Sequence, residues 1–150
     1  MSDHWQTPKD FYDRLDREFS FTLDPCPLSE NPIVDGLTRS WVDEIVFCNP
    51  PYSAIDKWIE KARYESRKNN VVVVMLLPAN RTDRKWFHRF CMAADEIRFV
   101  NGRINFVRKG EQPSRSNHPS MLVIFNGSSP EKLKVSSMCA KTEKNERLKL

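Results

Sequence analysis

Ile45-Val46-Phe47-Cys48-Asn49-Pro50-Pro51-Tyr52 is the stretch on which the reading of this chain turns. Its first four residues are apolar, β-branched or aromatic for the most part, and suit a buried strand. Two consecutive prolines then end it, because a locked φ and a missing N–H cannot continue a ladder. An asparagine is thereby left at the carboxyl end of a buried strand, the place where open α/β sheets bind their ligands.

Working outward, Ile55, Trp58, Ile59 and Ala62 fall on one face of an amphipathic helix that should run to about Lys68 and break at Asn69-Asn70. Val71 to Leu77 is an unbroken apolar run, as expected of a central parallel strand covered on both faces. Pro78 to Thr82 reads as a loop, Asp83 to Ala94 as a helix and Glu96 to Val100 as a strand. On the other side, Thr7 can cap a helix, with Pro8 at its first position and Phe11, Leu15 and Phe19 at helical spacing. Phe21 to Leu23 is a short strand ending at Asp24-Pro25-Cys26-Pro27, and Leu28 to Trp41 an irregular loop.

The alternation predicts a compact three-layer α/β fold with a mostly parallel sheet and helices on both faces. Gly102 to Phe106 and Ser120 to Phe125 should add antiparallel strands around a basic loop. From Asn126 onward the chain is rich in Ser, Lys and Glu and predicts a loose or helical appendage. The expected organisation is one domain, residues 1–126, followed by a polar lysine-rich tail, 127–150.

A chain of 150 residues, 39% hydrophobic and 29% charged, fits one globular core. Its longest apolar run is far short of the roughly 20 residues of a membrane span. The N-terminus lacks the basic-then-apolar order of a secretory signal, so a cytoplasmic protein is expected. Cys26, Cys48, Cys91 and Cys139 are widely spaced and form no C-x-x-C pair, so no metal site is expected. The net charge is +4 and the pI near 8.9. Cations concentrate in the second half, at Arg81, Arg84, Lys85, Arg103, Arg108 and Arg115 among others, which suits a polyanionic partner.

The tetrapeptide carries a specific chemistry. A planar exocyclic amine is a poor nucleophile because its lone pair is delocalised into the ring. Two acceptors gripping its two hydrogens favour a tetrahedral nitrogen and aim the lone pair at an electrophile. Asn49 Oδ1 and the Pro50 carbonyl can form that pair, with Pro51 stiffening the exit and Tyr52 stacking on an extruded base. Taken alone, the four residues also fit a proline-stiffened strand exit with a buried aromatic.

Asn49-Pro50-Pro51-Tyr52 is the signature of amino-methyltransferases, and the chain more closely resembles the short phage and prophage DNA N6-adenine methyltransferases. The resemblance runs from about Trp5 to Phe125 through Trp5-Gln-Thr7-Pro8, Phe19 to Asp24, Asp35-Gly36-Leu37 before Trp41, and Trp58. It continues through Met75 to Ala79, Trp86-Phe87-His88, Glu96 to Phe99, Gly102-Arg103 and Pro119 to Val123. It implies a Rossmann-like class I fold, S-adenosylmethionine as methyl donor and direct in-line transfer to adenine N6 in double-stranded DNA. It implies a phage or prophage origin, hence a bacterial cytoplasm, and we expect a monomer or weak dimer.

By the same resemblance Asp24 would meet the cofactor's amino-acid end and Asp35 and Leu37 its adenosine. Trp5, Thr7 and Pro8 would form the N-terminal cofactor-side segment, and Asn49 would lie beside the cofactor. Arg81, Arg84, Lys85, Arg103, Arg108 and Arg115 would hold DNA phosphates, with Asn105, Gln112 and Asn117 as base readers. The glycine-rich loop common among these enzymes is missing after Leu23. Cytosine N4, RNA or protein glutamine methylation share the tetrapeptide. A non-catalytic DNA-binding protein keeping a decayed methyltransferase fold is the reading of a different class, and an RNA-binding accessory domain a third.

Overall fold

The computed structural model describes residues 6–26, 36–106, 114–115, 118–127 and 132–141. Helix α1 spans Lys9–Phe19 and buries Phe11 and Leu15. Each such side chain contributes about 2–3 kcal/mol by leaving water. Pro8, not Thr7, occupies the N-cap, and no side chain caps the helix. The Thr7 hydroxyl is engaged instead by Asn49.

Strand β1, Ile45–Cys48, runs parallel to β2, Val72–Pro78. Between them a 3₁₀ turn, Tyr52–Ala54, leads into α2, Ile55–Asn69, which ends where Asn70 adopts φ +56°. A left-handed cap of this kind is tolerated by asparagine better than by most residues. Phe21 to Leu23 forms less than the expected strand: it touches β1 through the single parallel bridge Leu23–Val46. The Thr22 N–H donates to the Ile45 carbonyl at 2.8 Å, and the Phe47 N–H to that of Leu23 at 3.0 Å.

The expected helix from Asp83 to Ala94 is shorter. Helix α3 covers only Lys85–Arg89, and a 3₁₀ turn, Cys91–Ala93, tightens the chain before β3, Glu96–Asn101. Two-residue strands β4, Asn105–Phe106, and β5, Ser114–Arg115, pair antiparallel in a small separate sheet. Strand β6, Ser120–Asn126, then enters between β2 and β3, antiparallel to both. Finally β7, Lys134–Cys139, lies parallel to β3 at the far edge, so this part of the tail is neither loose nor helical.

The main sheet has the order β1-β2-β6-β3-β7. Its pairings are parallel at β1/β2 and β3/β7 but antiparallel on both sides of β6, so the sheet is mixed and less parallel than expected. Among the described residues no long helix follows β3 to carry the chain back to the start of the sheet. The short β4–β5 excursion returns it to the edge it left, and the next strand must run in reverse.

Strand alternation sends Phe47, Val74, Leu76, Leu122 and Ile124 to the α1 face. Val46, Cys48, Val73, Met75 and Val123 pack with α2 and α3 on the other. Helices therefore cover both faces. Three interactions tie the periphery down. Arg98 grips Glu18 of α1 through two nitrogens at 2.9 and 3.1 Å and also reaches Glu96. The Ser136 hydroxyl of β7 donates to the same Glu96. Arg14 donates to the Cys139 carbonyl at 2.8 Å, joining α1 to the end of β7.

Candidate active site

Several segments reach one edge of the main sheet because of the strand directions. Leu23, β1, β2 and β3 all run toward it, and β6 starts there. That edge therefore gathers Asp24, Asn49, Arg81, Arg103 and His118, residues scattered over most of the chain.

Asn49 is 6% exposed. It continues the alternation that points Phe47 toward α1, and its Nδ2 donates to Thr7 Oγ1 at 3.1 Å, just before that helix. The bond fixes the rotation of the amide, whose Oδ1 lies on the side away from Thr7. Pro50 is buried and Pro51 half-buried, and the Ala54 N–H donates to the Pro51 carbonyl at 3.0 Å. Tyr52 is half-buried at the start of the 3₁₀ turn, its ring edge-on to His118 at 4.9 Å. Burial pushes the Tyr52 phenol up to about 12 although the nearby Arg81 charge draws it down. The hydroxyl is therefore neutral at physiological pH.

His118 is a candidate site residue that the sequence did not point to, since nothing local pairs it with Tyr52. Burial lowers its imidazole below the usual histidine range, and the charges of Arg81 and Arg103 lower it further. Tyr52, His118, Arg81 and Arg103 thus form one group. Arg81 and Arg103 are half-buried, and Arg103 Nη1 is buried with no hydrogen-bond partner among the described residues. Arg84 and Lys85, at the head of α3, are exposed.

Asp24 follows Leu23 beside the end of β1. Its Oδ1 accepts the Cys26 N–H at 3.0 Å, and no cation pairs with it among the described residues. The side chain reaches solvent, yet crowding by the surrounding protein pushes its pKa up to about 6 despite that hydrogen bond. Pro25 is buried against Gly36, where an added Cβ would stand 2.1 Å from the Pro25 oxygen. The Gly36 carbonyl also accepts the Trp41 indole N–H at 2.9 Å. Leu37 packs half-buried on the α2 side of the core.

Trp5, Asp35, Arg108, Gln112 and Asn117 lie outside the described residues. Arg115 lies in β5 opposite Asn105, which is exposed in β4. His88 is exposed on α3, its ring edge against Phe87, and is remote in contact from the tetrapeptide. Among the described residues there is no group of three or more His, Cys, Asp or Glu able to hold a metal ion, and no helix long and apolar enough to cross a membrane.

A mixed α/β sheet that carries Asn-Pro-Pro-Tyr at a strand's carboxyl end, with a carboxylate on one side and cations on the other, has the form of an amino-methyltransferase. The family model described as DNA N-6-adenine-methyltransferase (Dam) matches residues 1–149. A DNA N-6-adenine-methyltransferase of Haemophilus phage HP1 is 33% identical over 141 residues, covering 85% of this chain and 81% of the phage protein. One of Escherichia phage T1 is 29% identical over 126 residues, covering 77% of this chain and 52% of its own. The chain belongs to the DNA N-6-adenine-methyltransferase (Dam) family and is an enzyme of that kind.

Proposed function

We propose that this enzyme transfers a methyl group from S-adenosylmethionine directly to N6 of an adenine turned out of duplex DNA. The observation that carries this reading is Asn49: a buried amide, oriented by Thr7, at the sheet edge shared with Asp24 and the basic group. Its Oδ1 and the Pro50 carbonyl accept the two N6 hydrogens, while Pro51 holds the exit rigid. The neutral Tyr52 ring stacks on the extruded base, and His118 steadies that ring from its edge.

The residues fit the methyl donor. A crowded carboxylate without a cation partner among the described residues is what an ammonium group would satisfy, and Asp24 is one. When bound, S-adenosylmethionine supplies a methyl group already activated on a sulfonium, with a neutral thioether to leave. Asp24 holds its amino-acid end, Thr7 and Pro8 flank it with Asn49, and Leu37 lies toward the adenosine, as do Trp5 and Asp35 in this reading. The protein contributes orientation and fixed dipoles, and the N6 proton leaves to solvent after the new bond forms.

Arg81 and Arg103 hold phosphates beside the flipped base. Arg84, Lys85, Arg108 and Arg115 extend that contact along the duplex. Residues 1–126 carry the catalytic part of the transferase in a Rossmann-like class I arrangement, β7 of the 127–150 segment completes its sheet, and the enzyme acts as a monomer or weak dimer in the bacterial cytoplasm. Tritiated methyl transfer from S-adenosylmethionine to unmethylated duplex DNA, followed by nucleoside separation, tests the reading. Label in N6-methyladenine is the expected result. Label in N4-methylcytosine, in RNA or in protein would reassign the acceptor, and none at all would remove the enzyme reading.

Asp24 gives this site a pH dependence. As pH falls through about 6 the carboxylate is protonated and its hold on an ammonium weakens. The KM for S-adenosylmethionine should rise about tenfold per pH unit below that point, the slope expected of one titrating group. Stability runs the other way. A carboxyl whose folded pKa lies above its unfolded value of 3.8 stabilises the fold most fully below that value and loses the contribution as pH rises through about 6. Asp24→Asn should therefore melt slightly higher at neutral pH, by roughly 1 kcal/mol at most because the group reaches solvent, while cofactor affinity falls. Titration calorimetry and thermal melting of that variant check both signs, and unchanged affinity would remove Asp24 from the cofactor site.

A further inference from the structure

On the outer side of α2 and α3 lies a cleft of about 400 Å³, lined by Arg63, Arg67, Lys68 and Arg89 against the single carboxylate of Glu60, with the rings of Tyr64 and Phe90. The Arg63 and Arg89 guanidiniums stand over the Phe90 ring, 5.7 and 5.2 Å from its centre, and Lys68 donates to the Tyr64 hydroxyl at 2.7 Å. Aromatic faces hold these cations in position without neutralising them. Among the described residues no carboxylate forms an ion pair with Arg63, Arg67 or Arg89. Arg63 Nε is also buried without a hydrogen-bond partner among the described residues. Burial lowers the Arg63 pKa, and the like charges of Arg67 and Arg89 lower it further. A fold that gathers mutually repelling guanidiniums and leaves a donor unmet is suited to an anion, and guanidinium forks match phosphate oxygens.

The place of the cleft indicates which phosphates. Helix α2 begins beside Tyr52, so Arg67, twelve residues beyond Ile55, lies about 18 Å further along its axis. Arg63 and Arg67 make a stripe about 6 Å long, which spans more than one phosphate of a strand rising 3.4 Å per residue. An extended polyanion passing over the helix layer fits this spacing better than a single small anion.

We propose that the Arg63–Arg67–Arg89 cleft is a second DNA-backbone site, which holds duplex flanking the stretch that is methylated. This rests on the reading that duplex DNA is the substrate. It predicts a dependence on duplex length that the catalytic edge alone does not produce.

The test compares the full-length protein with Arg67→Gln/Arg89→Gln, both positions being exposed, and with Arg67→Lys/Arg89→Lys. Binding is measured by fluorescence anisotropy against salt, on duplexes of about 10 and about 30 base pairs with a central adenine. Half of the shorter duplex reaches about 17 Å, past Arg63 at about 12 Å but short of Arg67 at about 18 Å. The Gln variant should lower the slope of log K against log salt by about 1.8 on the long duplex, two phosphate contacts at about 0.9 each. On the short duplex its slope and methylation rate should match the unaltered protein, and the Lys variant should keep the long-duplex slope. An unchanged slope on the long duplex would overturn the proposal, as would an equal loss on both lengths. Failure of the unaltered protein to methylate either duplex would refute the substrate reading by itself, and the binding slopes would still decide the cleft.

Discussion

Asn49→Ala is expected to lower methyl transfer by about 10²–10³-fold or more while leaving the protein folded. The size follows from the role proposed for the side chain, which is to hold one of the two N6 hydrogens as the nitrogen becomes tetrahedral. Removing a single preorganised hydrogen-bonding group from a transition state typically costs that much. The structural cost is small by comparison. The bond to Thr7, at 3.1 Å, is lost, worth about 1 kcal/mol or some 4 °C of Tm. Single-turnover assays beside thermal melts separate the two quantities. Thr7→Val makes a graded control, because it removes the group that orients the amide but leaves the amide in place. A fall of about tenfold is expected there, the equivalent of one ordinary hydrogen bond. Turnover near normal in Asn49→Ala would refute the role assigned to the tetrapeptide.

The second large effect concerns stability. Glu65 is 2% exposed and sits on α2, where its carboxylate accepts the Trp41 N–H at 2.7 Å, Asn69 Nδ2 at 3.0 Å and Lys61 Nζ at 3.4 Å. Trp41 itself is fully buried and leads into β1. Glu65 therefore pins the segment that feeds the catalytic strand to the helix that follows it. Glu65→Ala strands a buried backbone N–H and a partly buried ammonium, and should cost about 2–4 kcal/mol, or roughly 10 °C of Tm. Burial pushes the Glu65 carboxyl up, but the Trp41, Asn69 and Lys61 contacts together hold it below its ordinary 4.5. A depressed carboxyl stabilises the fold above the unfolded pKa and loses that contribution as pH falls through the folded one. The gap between the unaltered protein and Glu65→Ala should accordingly be widest near neutrality and narrow as the medium becomes more acidic than the ordinary 4.5. Glu65→Gln keeps an acceptor for Trp41 and should fall between. Equal melting of all three at pH 7 would show that the carboxylate is not the tie described here.

Much of the local structure was legible because it depends on neighbours in sequence. Helix α1 begins and ends where Pro8 and the Phe11–Leu15 spacing predict, and α2 stops at the asparagine pair. The helix expected from Asp83 failed past Arg89, since a run with Trp86, Phe87 and Phe90 buried on one side must also bring β3 back to the sheet. The loose tail failed for a related reason. Lys134 to Cys139 alternates too weakly to announce a strand, and pairs because β3 presents an unpaired edge.

The candidate site divides along the same line. Asn49 to Tyr52 could be read directly, because a buried strand and two prolines are local statements about φ, donors and burial. Family likeness over the length of the chain then narrowed the chemistry to adenine methylation. Nothing in the sequence coupled Tyr52 to His118, or Asn49 to Thr7, across 42 residues. Nor did it show that Arg63, Arg67 and Arg89 share one cleft. Those groupings are products of strand order. Once β6 inserts antiparallel between β2 and β3, its first residues must lie at the edge where the other strands end, and the rim of the site assembles there. By itself the sequence determined where α1, β1 and α2 form and marked Asn49 to Tyr52 as the candidate site, because burial and backbone freedom act locally. Only the tertiary structure decided what surrounds that tetrapeptide, because hydrogen bonds and charge act through space between segments that the chain keeps far apart.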